Sequence, residues 1–541
     1  MPGRVVSRRF IGREHELAHV GAALTAAASG AATTVLIAGG AGMGATRLVD
    51  EALARAAAGP AAPLVLRGRS HGPADPPWAA VLEALAPVIA QRPTDELQAL
   101  LRRDARLIVA GLPGMAALAA GVPAPRSSAL EDPEHRQPRA LEGLLRWLGR
   151  VAAERPLVLV LEDLHAADAA TGAFATFVAR IARDERIALV LSYQPDRLTR
   201  EHPLRENLAI IEAGLRPPVR VELAPLARRE IAGLIEGIEG ERPSASIVVL
   251  MAERSAGSPL VVEELVAARR ELRNTSLTGS LADLVAARLT RCSPECRRVL
   301  RLLAPAERPM DHERLARASA VYEELLAAES GDRSGTLPPR SATRPRRSST
   351  HLDADLAAGL AEALEHGFVT AEDGDRLRIR HELIARAVVA DLLPTHLSRY
   401  RSALARSFAD VPVVAAVHWR AAFQTVEARE AAIEAGRRAS LMAAPQDALA
   451  AFEMALELPA PAPGPTHHPA PTASDAGEGG EGDAWAEPDG SPVAELAQLA
   501  AEAAYACQRP GRAVAYAESA LAALGDRRDR LAHAVLEGRL G

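Results

Sequence analysis

Four apolar runs constrain this chain most: Val35-Leu36-Ile37-Ala38, Leu64-Val65-Leu66, Leu157-Val158-Leu159-Val160-Leu161 and Ile187-Ala188-Leu189-Val190-Leu191. They stand between helical patterns from Arg13 to about Arg197. A strand with one wet face alternates polar and apolar side chains. Runs without alternation predict strands covered on both faces, as in a parallel sheet flanked by helices. Only 3% of the 541 residues are aromatic, so the cores rest on Ala, Leu and Val. That composition favours helix-rich packing over all-β sandwiches. The length predicts roughly three to four domains.

From about Glu222 the pattern turns helical, over residues 227–238, 244–254, 259–273, 280–289 and 293–303. Phe368-Val369-Thr370 and Leu377-Arg378-Ile379 flank Glu372-Asp373-Gly374-Asp375, a hairpin signal with an Asp-Gly turn. One hairpin within a helical set predicts a winged helix. Beyond Leu397, alanine-rich helices over 431–441, 445–458, 493–508 and 511–524 pair as hairpins with small residues at their contacts. This suggests tetratricopeptide-like repeats. Residues 330–349, rich in Arg, Ser and Pro, and 459–492, rich in Pro, Gly, Ala and acids, read as unstructured linkers.

Directly after the first apolar run stands Gly39-Gly40-Ala41-Gly42-Met43-Gly44-Ala45-Thr46-Arg47-Leu48. Strand, glycine-rich turn and helix form the setting of a phosphate-binding loop. The glycines let successive N–H groups point inward, and the helix N-terminus adds partial positive charge. The pattern G-x-x-x-x-G-K-[ST] is met at Gly39, Gly44 and Thr46 but fails at its lysine, which is Ala45. No lysine occurs anywhere, and all 63 basic residues are arginines, which excludes ammonium and Schiff-base chemistry. Arg47 is a poor substitute, because a neighbouring helical position points its side chain elsewhere. The third run ends in Glu162-Asp163. In phosphate-loop proteins the first carboxylate of such a pair holds Mg²⁺ and the second orients the attacking water.

Five segments together resemble one family: Phe10-Ile11-Gly12-Arg13-Glu14; the loop ending Thr46-Arg47-Leu48; Val160-Leu161-Glu162-Asp163-Leu164-His165; Gly257-Ser258-Pro259 with Val262-Glu263-Glu264-Leu265; and Arg380-His381-Glu382-Leu383-Ile384. The family is the signal-transduction ATPases with numerous domains (STAND), of the type in LuxR-family and maltose-regulator-like bacterial transcription regulators. The resemblance covers about residues 10–408. It implies a multidomain chain: an α/β P-loop, AAA-like nucleotide domain at 8–200, an all-α lid at 222–290, and a winged helix at 291–395 with a disordered insert at 330–349. Tetratricopeptide-like helical repeats follow at 396–458 and 493–541, separated by a disordered linker at 459–492.

The implied cofactor is ATP or ADP with Mg²⁺. Gly39, Gly40, Ala41, Gly42, Met43, Gly44, Ala45, Thr46 and Arg47 would cradle phosphates, and Thr46 and Glu162 would hold the metal. Asp163 would be the catalytic residue facing water, Pro259 would lie near the adenine, and His381 would reach the β-phosphate. The chain departs from the family at Ala45, at Gln194 where a phosphate-sensing arginine is usual, and at Ala166 in place of a tryptophan. The expectation is therefore an ATP-binding regulatory switch or scaffold with impaired hydrolysis. An unidentified ligand or protein would bind its repeats, and it would be able to form a homo-oligomer. Two alternatives are an active ATPase and a DNA-binding regulator whose C-terminal helix-turn-helix is missing from this chain, and a remote third is a serine hydrolase.

A net charge of −6 argues against a surface that grips nucleic acid, so little direct DNA binding is expected. Gly68-Arg69-Ser70-His71-Gly72 matches the G-x-S-x-G elbow of serine hydrolases, which needs a helix immediately after the serine. Pro73, Pro76 and Pro77 delay any helix to about Trp78. Cys292, Cys296 and Cys507 make no disulfide framework. Cys292 and Cys296 lack two further metal ligands nearby in sequence and read as buried small residues. The uncharged stretch 107–125 is broken by Gly and Pro and diluted by Ala, so it predicts no membrane span. With no apolar signal core at the N-terminus, a cytoplasmic protein is expected.

Overall fold

The computed structural model describes residues 7, 9–59, 62–72, 74–101, 104–112, 133–271, 281–332, 349–372, 376–459 and 492–524. Helix α1 (Glu14–Ala28) leads into β1 (Thr33–Ala38), and α2 (Ala45–Ala57) follows the glycine loop. Strand β2 (Leu64–Arg69) is followed by α3 (Ala79–Gln91), α4 (Thr94–Leu101), α5 (Asp104–Gly111) and α6 (Pro133–Glu154). The unit is completed by β3 (Leu157–Glu162), α7 (Ala169–Ile181), β4 (Ile187–Tyr193), α8 (Pro203–Glu212) and β5 (Val219–Glu222).

Among the described residues these strands make one parallel sheet in the order β2-β3-β4-β1-β5. Every residue of β3 and β4 is buried, as runs without alternation require. Val35, Ile37, Val158 and Val190 pack on one face with residues of α1 and α2. Leu36, Leu66, Leu159 and Leu191 pack on the other with α3, α6 and α7. The sheet extends past residue 200, the expected end of this domain, to take in β5. That strand has four residues with one buried, so it carries no continuous apolar run.

From α9 (Arg228–Glu239) the chain is almost wholly helical. Helices α9, α10 (Ala245–Ser255), α11 (Pro259–Glu271) and α12 (Leu281–Leu289) share a core of Ile231, Leu234, Met251, Val262 and Leu265. Next come α13 (Pro294–Ala306), α14 (His312–Asp332) and α15 (Ser349–Glu365), then the antiparallel hairpin of β6 (Val369–Glu372) and β7 (Arg376–Ile379). With α16 (Glu382–Ala390) and α17 (Pro394–Ser407) they enclose Leu300, Leu303, Phe368 and Ile384. The hairpin lies where the Asp-Gly signal predicts it, although turn residues 373–375 are outside the described residues. Helix α14 runs to Asp332, past the expected linker start at 330. The rest of that linker (333–348), most of the second (460–491) and the expected repeat segment 525–541 lie outside the described residues. So does 113–132, most of the uncharged stretch. Among the described residues no helix is long and apolar enough to cross a membrane.

Helices α18 (Pro412–Ala421), α19 (Thr425–Leu441), α20 (Pro445–Glu457), α21 (Pro492–Ala506) and α22 (Pro510–Leu524) each pack on the next. Alanines such as Ala432, Ala448, Ala455 and Ala500 make the contacts. These helices dock on the α/β unit. Met442 and Ala444 pack into its core, and Trp78 Nε1 donates to the Met442 carbonyl at 3.2 Å. The Asp447 carboxylate accepts the N–H groups of Ala169 and Ala170 at 3.0 and 3.3 Å. Those donors open α7, where helix geometry supplies no internal acceptor.

Burial and the negative charge of Asp168 push the Asp447 carboxyl up to about 7. A carboxyl released to solvent has its ordinary, lower pKa, so the docked form binds this proton more tightly. Docking should therefore be strongest below about 3.8, weaken as pH rises from there to about 7, and be insensitive to this group above that. Energy transfer between labels on α1 and α22 would follow the docking, and Asp447→Asn should flatten its pH dependence. An unchanged profile in the variant would assign the effect elsewhere.

Candidate functional site

Strand β1 delivers the chain into the glycine loop. Gly42 and Gly44 take φ values of 77° and 90°, where any side chain is strained. The Met43 N–H donates to the Gly40 carbonyl at 3.1 Å, and α2 begins with Leu48 N–H donating to the Gly44 carbonyl at 3.0 Å. A cavity of about 1160 Å³ opens over this turn. Gly39, Gly40, Gly42, Met43, Gly44, Ala45, Thr46 and Arg47 line it, together with Asp163, Gln194, Pro259 and His381. Of the residues singled out in the sequence, Ala41 and Glu162 are not part of the wall.

Other parts of the chain complete the enclosure. The Leu260 N–H and the Ser258 hydroxyl, at the start of α11, donate to the Gly42 carbonyl at 3.3 and 3.4 Å. From the hairpin unit come Thr370, Arg378, Arg380 and His381. Among the described residues nine arginines line the cavity, against five carboxylates. Beside the two cations missing at Ala45 and Gln194, the fold brings Arg69, Arg308, Arg378 and Arg380 to the wall. For three of these a signal existed. Arg67 and Arg69, and likewise Arg378 and Arg380, are two residues apart on strands or strand ends and so share a face.

Arg47 is committed elsewhere: its guanidinium donates to the Ser7 carbonyl at 3.1 Å. His381 caps α16, its Nδ1 accepting the Leu383 N–H at 3.1 Å. Burial and the nearby Arg380, Arg378 and Arg69 lower its pKa to about 3, so the ring is neutral and its second nitrogen carries a donor N–H. His165 Nδ1 accepts the Gln194 N–H at 3.3 Å, and burial with Arg197 lowers it to about 4. Asp163 adopts a left-handed φ of 56°, and its N–H donates to Ser192 Oγ at 3.1 Å. Burial raises its carboxyl, which accepts from the Gln194 side chain and lies 3.7 Å from Arg69.

Glu162 ends β3 with its side chain 1% exposed. Its Oε2 accepts from Arg67 Nε at 2.9 Å and from Arg69 Nε and Nη2 at 3.2 and 2.6 Å, while Oε1 lies 2.9 Å from Arg67 Nη2. The same Arg69 Nη2 donates to Thr46 Oγ1 at 3.3 Å. A guanidinium thus joins the two groups expected to hold Mg²⁺. The metal needs oxygen lone pairs in a near-ideal octahedron, and here fixed cations already take them. A divalent ion would also sit against two positive charges. The residues do not fit Mg²⁺, because Arg67 and Arg69 neutralise its carboxylate ligand.

Two other clusters are accounted for by structure. Ser70 is buried, its hydroxyl has no hydrogen-bond partner among the described residues, and α3 starts only at Ala79, so nothing activates it as a nucleophile. Cys292 and Cys296 do gain a third neighbour, Glu362, with ligating atoms within 4.8 Å of one another. That carboxylate already accepts the Ser293 N–H at 2.9 Å and the Ser293 hydroxyl, so the group is the cap of α13.

Residues 9–191 match the family model described as AAA ATPase domain. With the glycine loop at the carboxyl end of β1, this part of the chain is an AAA-like P-loop domain, followed by a largely helical region. No curated protein matches the chain. One similar solved structure is a STAND protein with a tetratricopeptide repeat sensor from Pyrococcus horikoshii, 12% identical with a TM-score of 0.40; the alignment covers 97% of this chain and 66% of that one. Another is a Walker-type ATPase of Pyrococcus abyssi, at 13% identity and 0.30, covering 71% and 98%. A third is the Drosophila ORC bound to DNA, at 16% and 0.29, covering 71% and 87%. This chain thus spans just under two thirds of the first structure's length. These likenesses are too distant to bear on the chemistry of the site.

Proposed function

We propose that the chain is a STAND-type, ATP-binding regulatory switch or scaffold in signal transduction or transcription regulation, with impaired hydrolysis. One observation carries this reading: a single cavity is walled by the glycine loop, by Pro259 at the start of α11 and by His381 of the hairpin unit. A ligand there touches three parts of the chain and biases their arrangement by its differential affinity. On this reading α9–α12 are the lid, α13–α17 with the hairpin are a winged helix, and α18–α22 are a tetratricopeptide-like sensor for an unidentified ligand or protein. The excess of arginine suits a polyphosphate.

Hydrolysis is impaired because phosphoryl transfer is catalysed chiefly by positioned positive charge. Ala45 and Gln194 supply none at the γ-phosphate, and Asp163 is engaged by Gln194 and Arg69. Direct duplex binding is weak on the same reading. In α16, the helix a winged helix offers to a groove, Glu382 pairs with Arg197 and Arg386 lines the cavity. Calorimetric titration of the purified protein should show ATP and ADP binding, while phosphate release stays at background. Steady release that Asp163→Asn abolishes would overturn impaired hydrolysis. Absence of any nucleotide binding would overturn the whole reading.

A further inference from the structure

Resting on that nucleotide reading, we infer that Arg69 is a built-in counter-cation: it stands between Thr46 and Glu162, and nucleoside di- or triphosphate binds here without a divalent metal. The Nη2 of Arg69 bridges the two groups, 3.3 Å from Thr46 Oγ1 and 2.6 Å from Glu162 Oε2. Arg67, shared between Glu162 and Asp50 at 2.7 Å, fixes the far side of the carboxylate. The Arg69 side chain is 14% exposed and lines the cavity. Its other charged neighbours are looser, with Asp163 and Glu372 both at 3.7 Å.

This arrangement does the work of an ion by other means. With Nε and Nη2 of Arg69 given to Glu162 and Thr46, its Nη1 is the donor left to meet a phosphate oxygen. The guanidinium is covalently held at the end of β2 and is a weakly hydrated cation, whereas Mg²⁺ dehydrates reluctantly and demands free oxygen ligands. Ala45 leaves the position beside it uncharged, so a phosphate group meets one fixed cation from β2 in place of a lysine and a metal. Mg²⁺ bound to the nucleotide in solution would have to be tolerated at the cavity mouth or shed, since Thr46 and Glu162, tied to Arg69, do not take it.

The test is calorimetric titration of ADP and ATP into the full chain, once with excess Mg²⁺ and once with EDTA. The expected result is equal affinity in the two buffers. Arg69→Ala should weaken binding in both by roughly ten- to a hundredfold, the loss of one charge-assisted phosphate contact. Because that variant also strips Glu162 of a partner, Arg69→Ala with Glu162→Gln and Arg69→Lys are measured beside it, with circular dichroism to confirm folding. The double variant should bind as weakly as Arg69→Ala, and Arg69→Lys should retain part of the affinity. Affinity that falls roughly tenfold or more when EDTA replaces Mg²⁺ overturns the inference, and the wild-type comparison alone decides this. Folded Arg69 variants that bind like wild type overturn it as well. No binding in either buffer overturns the nucleotide reading itself, and this inference with it.

Discussion

Gly68→Ala is expected to leave little folded protein. A Cβ at Gly68 would lie 1.7 Å from the Ala80 carbonyl oxygen and 2.6 Å from its carbon, so α3 crosses β2 through the space this glycine leaves. Both opposing atoms belong to backbone, and no rotamer change relieves the clash. Helix α3 would have to move, and with it Trp78, Val81 and Leu85, all fully buried in the larger core of the α/β unit. Overpacking that side chains can absorb costs about 1–3 kcal/mol. A forced backbone shift belongs to the rarer class above about 4 kcal/mol, a large part of the roughly 5–15 kcal/mol that holds a domain folded. Soluble yield and urea unfolding would measure it. Gly72→Ala is the matched control, since a Cβ there meets nothing within 4 Å, and its stability should be unchanged. Wild-type stability in Gly68→Ala would mean that α3 does not cross the sheet at this point.

Some of this fold is written locally. Strands β3 and β4 were legible because burial on both faces removes alternation, and the glycine loop because its backbone conformations admit few residues. Strand β5 was not, because a four-residue edge strand with one buried side chain differs little from loop. The site divides the same way. His381 was legible as a helix-start residue, since its ring bonds to the N–H two positions on. For Arg69 the spacing from Arg67 marks a shared strand face but not what it meets there, because its partners Thr46 and Glu162 lie 23 and 93 residues away. The Asp447 contact spans 278 residues, and nothing near that aspartate marks it. Where the sequence pattern points to Mg²⁺ between Thr46 and Glu162, it is tertiary packing that delivers a guanidinium there instead.

Glu162→Gln should destabilise the α/β unit strongly at neutral pH, and acid should reproduce part of that loss in the wild type. Burial alone would raise the Glu162 carboxyl, but Arg69 and Arg67 overcome it and hold the group down at about 2 against an ordinary 4.5. Above 4.5 both native and unfolded states are ionised and the full contribution is present. Between 4.5 and about 2 the unfolded chain takes a proton that the native state refuses, so stability falls as pH falls through that window. At ~1.36 kcal/mol per pH unit the loss is on the order of 3 kcal/mol. Asp104, held low by Arg146 and Arg150, titrates in the same direction, so Glu162→Gln should make the acid limb shallower without removing it. At neutral pH the glutamine keeps the shape but leaves Arg69, 14% exposed, without its main carboxylate, while Arg67, 34% exposed, keeps Asp50. The defect is at most about 3–5 kcal/mol, the range for breaking a fully buried pair. Melting should drop by on the order of ten degrees. Added nucleotide returns negative charge to Arg69, so ADP should raise the melting temperature of Glu162→Gln more than that of wild type. A variant that melts like wild type with an unchanged acid limb would show that Glu162 is not clamped between these arginines. The room it would then leave is the room a metal needs, so the same measurement bears on the metal-free reading of the site.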